Sequence, residues 1–179
     1  SVAVLLACPA LGARPAIAPQ SSTPGNIVLL VLDEVGVETL RCYNPLVPTA
    51  RTPVLSALAA RGVKFTKAYA NPICSQTRAT IMTGRYAFRT GMGYLALWGS
   101  ATAPQEYSLP LSELTIAEAL KAGQTQYTSG AFGKWHLTKW NDPMHAIAQG
   151  FDYFAGAEDL LGGHFNWDLT RANANGYTT

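Results

Sequence analysis

Apolar runs separated by turn-forming residues divide most of the chain into short strand-like and helix-like segments. Residues 27–32 are six apolar side chains without polar alternation, which is typical of a parallel strand buried on both faces. The next segment predicts a helix that Thr52 caps, Pro53 begins and Gly62 ends. Residues 63–66 alternate apolar and polar side chains, which predicts another strand. We expect the helix at 52–62 and the strand at 63–66 to form scaffold.

The pattern continues with a helix whose N-terminus carries a capping box. Thr115 and Glu118 precede an apolar run, and Gly123 ends it. Residues 127–132 follow as a predicted strand. Residues 85–110 lack a clear period, and we expect them to form a long surface connection.

The segment 71–91 places a cysteine and an arginine at the start of a helical run. A polar, turn-forming pair leads in and Gly84 ends the run, so Cys74 is predicted at or just before the helix N-terminus. Arg78 lies four residues on, one helical turn away, and can share a face with Cys74. A helix N-terminus and a guanidinium both favour negative charge, so this segment predicts a site for a tetrahedral oxyanion.

Two carboxylates follow the first predicted strand. Asp33 and Glu34 would leave the carboxyl end of that strand, where open α/β sheets bind their ligands. Neighbouring carboxylates repel each other, and a divalent cation relieves the repulsion. Acidic residues also follow strands in ordinary solvated turns, and the pair alone does not decide between the two interpretations.

A lysine and a histidine follow the strand predicted at 127–132. If the backbone stays extended, Lys134 and His136 project to one side and Trp135 to the other. The alternatives are a surface lysine and a core histidine whose hydrogen bonds are satisfied. His145 has no ligand-like spacing to His136, which argues against zinc.

Composition excludes some classes of function. The chain is 48% hydrophobic, enough for a core, and only 13% charged, below the roughly 25% of average soluble domains. Its net charge is +2 without a basic run, so nucleic-acid binding has no electrostatic support.

The first 25 residues resemble a leader and linker rather than part of the domain. Their apolar part is too short to span a bilayer and suits the core of a secretory signal peptide. Residues 5–8 also look like a bacterial lipobox, which would place a lipid on Cys8 and give the protein a membrane anchor. The other two cysteines, Cys42 and Cys74, allow a disulfide bridge as the structural alternative to a reactive Cys74.

In this order, the segments resemble the type I sulfatases, a formylglycine-dependent family. Residues 26–34 look like the opening strand and metal-binding acids of that family. Residues 74–78 with 83–85 resemble its first signature, usually Cys-x-Pro-x-Arg followed by Thr-Gly-Arg, and 133–137 resemble its second. The resemblance implies an α/β fold, an alkaline-phosphatase-like sandwich with a mostly parallel central sheet, incomplete at the C-terminus. Residues 26–179 would be the N-terminal portion of the catalytic domain.

The resemblance further implies hydrolysis of a sulfate monoester by a nucleophile made from Cys74. In the family this cysteine is oxidised to formylglycine, whose hydrated aldehyde attacks sulfur with one hydroxyl and expels sulfate with the other. Arg78 would support the diol and the metal. Lys134 would stabilise charge on the sulfate, and His136 would position or deprotonate the diol. Lys134 and His136 would thereby also bind substrate.

A bound divalent cation is implied as well. Calcium, with magnesium as the alternative, would be held by Asp33, Glu34 and the modified Cys74. The implied partners are a small-molecule or carbohydrate sulfate ester and a formylglycine-generating enzyme that matures Cys74. The implied location is periplasmic or secreted, with a membrane anchor only if Cys8 is lipidated.

The chain also departs from the family pattern. The family usually has a second aspartate where Glu34 stands and a proline where Gln76 stands. Its later Asp-Asn metal pair, lysine and histidine have no counterpart before Thr179. We therefore expect this chain to be a fragment of a longer exported enzyme and to be inactive in isolation.

Three other functions stay open. A phosphate or phosphonate ester hydrolase of the same superfamily would use the same lysine, histidine and metal. A thiol enzyme would pair Cys74 with His136, although a tyrosine-phosphatase loop needs a longer spacing than the three residues between Cys74 and Arg78. The last is a non-catalytic fragment that only packs or binds.

Overall fold

Two compact units make up the chain, residues 1–72 and residues 73–179. The structure, a computed structural model, describes residues 3–6, 25–46, 50–96, 107–123, 127–139, 142–158 and 168–179. Cys8, the predicted lipid site, lies outside the described residues. No helix among the described residues is long and apolar enough to cross a membrane.

The first unit contains a two-stranded antiparallel sheet of β1 (Ala3–Leu6) and β2 (Leu29–Leu32). The strand predicted at 27–32 is confirmed over its last four residues. The prediction that it is parallel and buried on both faces is wrong for this pairing, and Leu30 is 44% exposed. A continuous apolar run indicates burial, but it carries no information on the direction of the partner strand.

A single α-helix, α1 (Pro53–Arg61), follows a short 3₁₀ turn at Val37–Thr39 in the described part of the first unit. Its start and end agree with the prediction, since proline occupies the first turn and the Gly62 N–H closes the helix onto Leu58 O at 2.9 Å. Thr52 holds the N-cap position, but its side chain makes no capping hydrogen bond. The capping role predicted for Thr52 is therefore wrong.

Residues 63–66 do not form the predicted strand. They are irregular and exposed, with Val63 at 75% and Phe65 at 60%. A strand requires a neighbour to satisfy its backbone N–H and C=O groups, and alternation of side chains does not provide one. No strand in the described residues pairs with this segment.

The second unit is built on a four-stranded mixed sheet whose strands are β3 (Gly130–Lys134), β4 (Tyr153–Ala157), β5 (Thr170–Asn173) and β6 (Gly176–Thr178). Their order in the sheet is β3-β4-β5-β6. Strands β3 and β4 are parallel, and the pairs β4–β5 and β5–β6 are antiparallel. The strand predicted at 127–132 is thus present but shifted toward the C-terminus. Strand β4 can run parallel to β3 because a crossover connection, which contains the short helix α4 (His145–Ala148), joins the two strands.

Two glycines allow β3 and β4 to approach at the end of the parallel pair. Gly133 and Gly156 are aligned in the register, and a Cβ on Gly156 would lie 1.8 Å from the carbonyl oxygen of Gly133. Gly133 itself has a φ of +87°, which L side chains rarely adopt. The close approach immediately precedes Lys134 and positions the segment that follows it.

Helices α2 (Cys74–Thr83) and α3 (Ile116–Ala122) begin and end close to the residues that the sequence predicted. Gly84 ends α2 in the left-handed conformation, with a φ of 66°. At the start of α3 the capping box forms, since Glu118 N donates to Thr115 Oγ1 at 3.3 Å and Thr115 N donates to the Glu118 carboxylate at 2.8 Å. Local sequence was sufficient to locate both helices.

The core of the second unit draws on residues predicted to lie in a surface connection. Met92 and Ala96 are fully buried and Leu109 is 1% exposed, together with Trp135 and Phe154. A 3₁₀ turn at Ala87–Arg89 lies within the part of residues 85–110 that the structure describes. The prediction of a surface connection is therefore wrong for these described residues, because isolated apolar side chains without a period can still pack inward.

Candidate active site

Helix α2 presents Cys74 as its first residue, as the sequence predicted. Ile73 occupies the N-cap position with an extended backbone and makes no side-chain capping bond. The first backbone bond of the turn runs from Thr77 N to Ile73 O at 3.3 Å. The thiol of Cys74 is free and half-buried, so the Cys42–Cys74 disulfide is not present. Cys74 therefore stands at the positive end of a helix, a position that stabilises negative charge.

The side chain of His136 lies directly against this thiol. The distance from Cys74 Sγ to His136 Nδ1 is 3.1 Å, and His136 is fully buried. The other ring nitrogen, Nε2, lies 3.2 Å from the carbonyl oxygen of Ala96. Because a carbonyl only accepts, the network assigns the proton to Nε2 and leaves Nδ1 of the neutral ring as acceptor for the thiol.

The backbone brings His136 to this position through an unusual turn. His136 has a φ of 53°, in the left-handed region that non-glycine residues rarely adopt, at a typical cost of about 1–3 kcal/mol. Its N–H donates to Glu158 O at 2.8 Å, which holds the turn against the end of β4. The predicted extended alternation, with Lys134 and His136 on one side, is therefore wrong beyond Lys134. Extended geometry ends with the strand.

Arg78 joins α2 to the end of β3. Its guanidinium donates to the carbonyl oxygen of Lys134, the last residue of β3. Both residues are half-buried. The two segments that the sequence singled out, 74–78 and 134–136, thus meet twice, through the Cys74–His136 contact and through this hydrogen bond.

Ser75 and Gln76 hold the loop beside the thiol, a role that the sequence did not predict for either residue. Ser75 Oγ accepts the N–H of Ala96 at 3.1 Å, and the Gln76 amide donates to the carbonyl oxygen of Gly93. Ser75 is fully buried. The sequence carries no signal for this arrangement, since the loop takes part through backbone groups that any residue type has.

Asp33 and Glu34 belong to the first unit, in the turn that follows β2. Asp33 is half-buried, whereas Glu34 is exposed and has a φ of 57°. Carboxylate oxygens suit a hard cation such as calcium, so the donor chemistry of the pair fits. Calcium takes about six to eight oxygen ligands, and the described residues contain no group of three or more His, Cys, Asp and Glu able to hold a metal.

Trp135 and His145 form a buried, hydrogen-bonded pair in the same unit as Cys74 and His136. Trp135 Nε1 donates to His145 Nδ1 at 3.1 Å, and His145 Nε2 lies 2.9 Å from the carbonyl oxygen of Leu109 and donates to it. Burial lowers the pKa of His145, and the Leu109 hydrogen bond and the charge of Asp142 oppose this shift in part. His145 is thus a neutral core histidine with both ring nitrogens paired.

The family model described as Sulfatase matches residues 25–173. The chain belongs to the sulfatase family. It has the alkaline-phosphatase-like α/β fold of that family, with a mixed sheet rather than a mostly parallel one among the described strands.

The chain matches several sulfatases over most of its own length. N-acetylgalactosamine-6-sulfatase of Rattus norvegicus is 38% identical over 161 residues, which is 88% of this chain and 29% of the relative. Arylsulfatase D of Homo sapiens is 38% identical over 142 residues, 73% of this chain and 23% of the relative. Steryl-sulfatase of Homo sapiens is 37% identical over 138 residues, with the same two shares of 73% and 23%. The chain thus spans about a quarter of the length of these sulfatases.

Among solved structures, the crystal structure of Ps i-CgsB shares 29% identity with this sulfatase-family chain, at a TM-score of 0.43. The match covers 53% of this chain and 20% of the solved one.

Proposed function

We propose that this chain supplies the nucleophile and part of the substrate site of a sulfuric ester hydrolase, an arylsulfatase-like enzyme. The observation that carries the proposal is the meeting of its two signature segments, with Cys74 Sγ 3.1 Å from His136 Nδ1. Membership of the sulfatase family supports the reaction class. In this proposal Cys74 is a precursor that a formylglycine-generating enzyme oxidises to an aldehyde.

The residues around position 74 suit that chemistry. The hydrated aldehyde would supply one hydroxyl that attacks sulfur and a second that allows sulfate to leave. His136 Nδ1, which faces position 74 as an acceptor, would take the proton from a hydroxyl there. Arg78 would hold the start of α2 against the end of β3, and the Lys134 ammonium would stabilise charge on the sulfate.

A divalent cation would complete the site. We propose that Asp33 and Glu34, with the modified Cys74, would hold calcium, and magnesium is the alternative. When bound, the cation would polarise a sulfate oxygen. The support for this part is the donor chemistry of the two carboxylates and their place directly after β2.

The experiment that tests the proposal has a chemical and a kinetic part. The tryptic peptide 68–78 contains Cys74 as its single cysteine, so mass spectrometry can follow that residue alone. After coexpression with a formylglycine-generating enzyme, we expect the aldehyde in place of the thiol. In a longer, active protein that carries this sequence, we expect turnover of an aryl sulfate above that of aryl phosphate mono- and diesters. A fully active protein with an unmodified thiol contradicts the mechanism, and a strong phosphate preference contradicts the reaction class.

A second function is favoured by the same contact. A thiol 3.1 Å from an imidazole that is held as an acceptor is also the arrangement of a Cys–His nucleophile. In that case Cys74 would act without oxidation, and alkylation of the thiol would abolish activity. The family match favours the sulfatase over this alternative.

Further proposals concern the setting of the enzyme. The substrate would be a small-molecule or carbohydrate sulfate ester, a range suggested by the names of the steryl- and N-acetylgalactosamine-6-sulfatase relatives. The protein would be exported, as the apolar leader in residues 1–25 suggests. The 179 residues alone would show little or no turnover, because the later metal pair, lysine and histidine of the family have no counterpart in them.

A further inference from the structure

The segment 93–96 is fastened to the start of α2 by two consecutive side chains. Ser75 accepts the N–H of Ala96 at 3.1 Å, and Gln76 donates to the carbonyl oxygen of Gly93. Both residues lie in the first turn of α2, directly after Cys74. These two hydrogen bonds tie the segment to the helix that carries the nucleophile position.

Ala96 connects the hydrogen bond from Ser75 to the imidazole of His136. Its N–H is donated to Ser75 Oγ, and its carbonyl oxygen accepts from His136 Nε2 at 3.2 Å. Ser75, Ala96 and His136 are each fully buried. Without water to replace a lost partner, each of these hydrogen bonds is costly to break.

Together with the backbone, these hydrogen bonds form a closed cycle of contacts that begins and ends at Cys74. From Cys74 the chain leads to Ser75, the Ser75 hydroxyl holds Ala96, Ala96 holds Nε2 of His136, and Nδ1 of His136 lies 3.1 Å from Cys74 Sγ. Occupation of Nε2–H by a carbonyl selects one tautomer of the neutral ring and one ring orientation.

We propose that Ser75 is a positioning residue, which acts through the backbone of Ala96 to hold His136 Nδ1 toward position 74 as a proton acceptor. The consequence for turnover rests on the proposed function, whereas the effect on the ring of His136 does not. Gln76 supports the same positioning of His136, because its amide holds the segment 93–96 at Gly93.

The test uses the 179-residue chain, labelled with ¹⁵N, and the variant Ser75→Ala. NMR of the His136 ring, assigned with His136→Asn, should show one Nε2–H tautomer in the wild type and a mixture of tautomers in Ser75→Ala. Hydrogen exchange of the Ala96 amide should become roughly 10-fold faster or more, since its acceptor is lost. Neither measurement requires turnover, so failure of the sulfatase proposal remains distinguishable from failure of this one.

Ser108→Ala is the matched control. Ser108 Oγ accepts the backbone N–H of Lys139 at 3.0 Å in the same unit, so this variant also removes a serine acceptor from a backbone amide. The ring of His136 and the Ala96 amide should be unchanged in Ser108→Ala. Equal changes in both variants would indicate general loosening and overturn the proposal.

Rescue and a second variant complete the experiment. Ser75→Thr keeps the hydroxyl and should restore the single tautomer. If Ser75→Ala does not fold, Gln76→Ala releases the same segment at Gly93 and should shift the tautomer in the same direction. In an active protein that carries this sequence, Ser75→Ala should lower kcat roughly 10-fold with KM unchanged, as expected when a proton acceptor is misplaced. An unchanged ring tautomer in every variant that folds overturns the proposal.

Discussion

The motif residues of the second unit and the acidic pair of the first differ in burial and in local structure. Around Cys74 and His136, named hydrogen bonds link α2, the end of β3 and the loop at Ala96. At Asp33 and Glu34 the structure shows a turn after a two-stranded sheet, with the Glu34 side chain exposed. The difference indicates that hydrogen bonds within the second unit pre-organise the nucleophile region, whereas Glu34 of the acidic pair faces solvent.

The largest expected effect is at Cys74. In an active protein matured by a formylglycine-generating enzyme, Cys74→Ala should lower aryl sulfate turnover by roughly 10³-fold or more, because the nucleophile is lost. Cys42→Ala is the matched control, since it removes a half-buried free thiol from the first unit, and it should leave turnover unchanged. Comparable losses in both variants, measured at equal folded concentration, would contradict the role of Cys74.

The acidic pair should show a smaller, metal-dependent effect. Asp33→Asn should lower turnover by roughly 100-fold, because a bound cation contributes several kcal/mol to catalysis. The chelation of calcium should produce the same loss in the unchanged protein, and Asp33→Asn should be insensitive to the chelator. Glu38→Gln is a control, since Glu38 is an exposed acid of the same unit. Turnover that survives both chelation and Asp33→Asn would show that the pair binds no catalytic metal.

Disturbing the close approach of β3 and β4 should lower the free energy of unfolding of the chain. Gly156→Ala should destabilise the chain by about 3 kcal/mol or more, because its Cβ would lie 1.8 Å from Gly133 O. Urea unfolding followed by circular dichroism measures this change. Gly93→Ala is the control, because the nearest atom to its Cβ is 4.0 Å away. Wild-type stability of Gly156→Ala would refute the strand approach that sets the position of Lys134.

The smallest expected effect is a pH dependence from His145. Burial lowers the pKa of His145 below the ordinary value of 6.5, so the unfolded chain binds a proton in a pH range where the folded chain does not. Its contribution to stability is therefore complete above pH 6.5 and is lost as the pH falls from there through the lowered pKa. In general, one unit of pKa difference corresponds to about 1.4 kcal/mol.

His145→Gln removes this titration and retains polar atoms for Trp135 and Leu109. Urea midpoints measured from about pH 8 to about pH 5 should fall less steeply for His145→Gln than for the wild-type chain. Equal slopes in the two proteins would show that His145 is not held neutral.

Local sequence was enough to locate some of these features. The capping box of α3 and Gly84 after α2 are short-range patterns, and both helices begin and end close to their predicted residues. The residue types and spacing of segments 74–78 and 133–137 likewise indicated the sulfatase family that the comparisons establish. These features depend on contacts within a few residues or on residue identity alone.

Other features depended on distant neighbours. The strand predicted at 63–66 has no partner in the described residues, and the extended backbone expected at His136 is replaced by a left-handed turn. The apolar residues Met92 and Ala96 lie in the core although their segment lacks a period. Strand pairing and burial are decided by elements far away in sequence, so a local pattern cannot predict them.

The sequence by itself determined the chemistry available to this protein: a cysteine that begins a helix, an arginine one turn later, a lysine and a histidine after a strand, and two carboxylates after another. The tertiary structure decided which of them touch. It brought Nδ1 of His136 to Cys74 and placed Nε2 against the carbonyl oxygen of Ala96, whose N–H donates to Ser75 Oγ. Backbone groups are common to all residues, so their use as partners is set by packing and not by the sequence pattern.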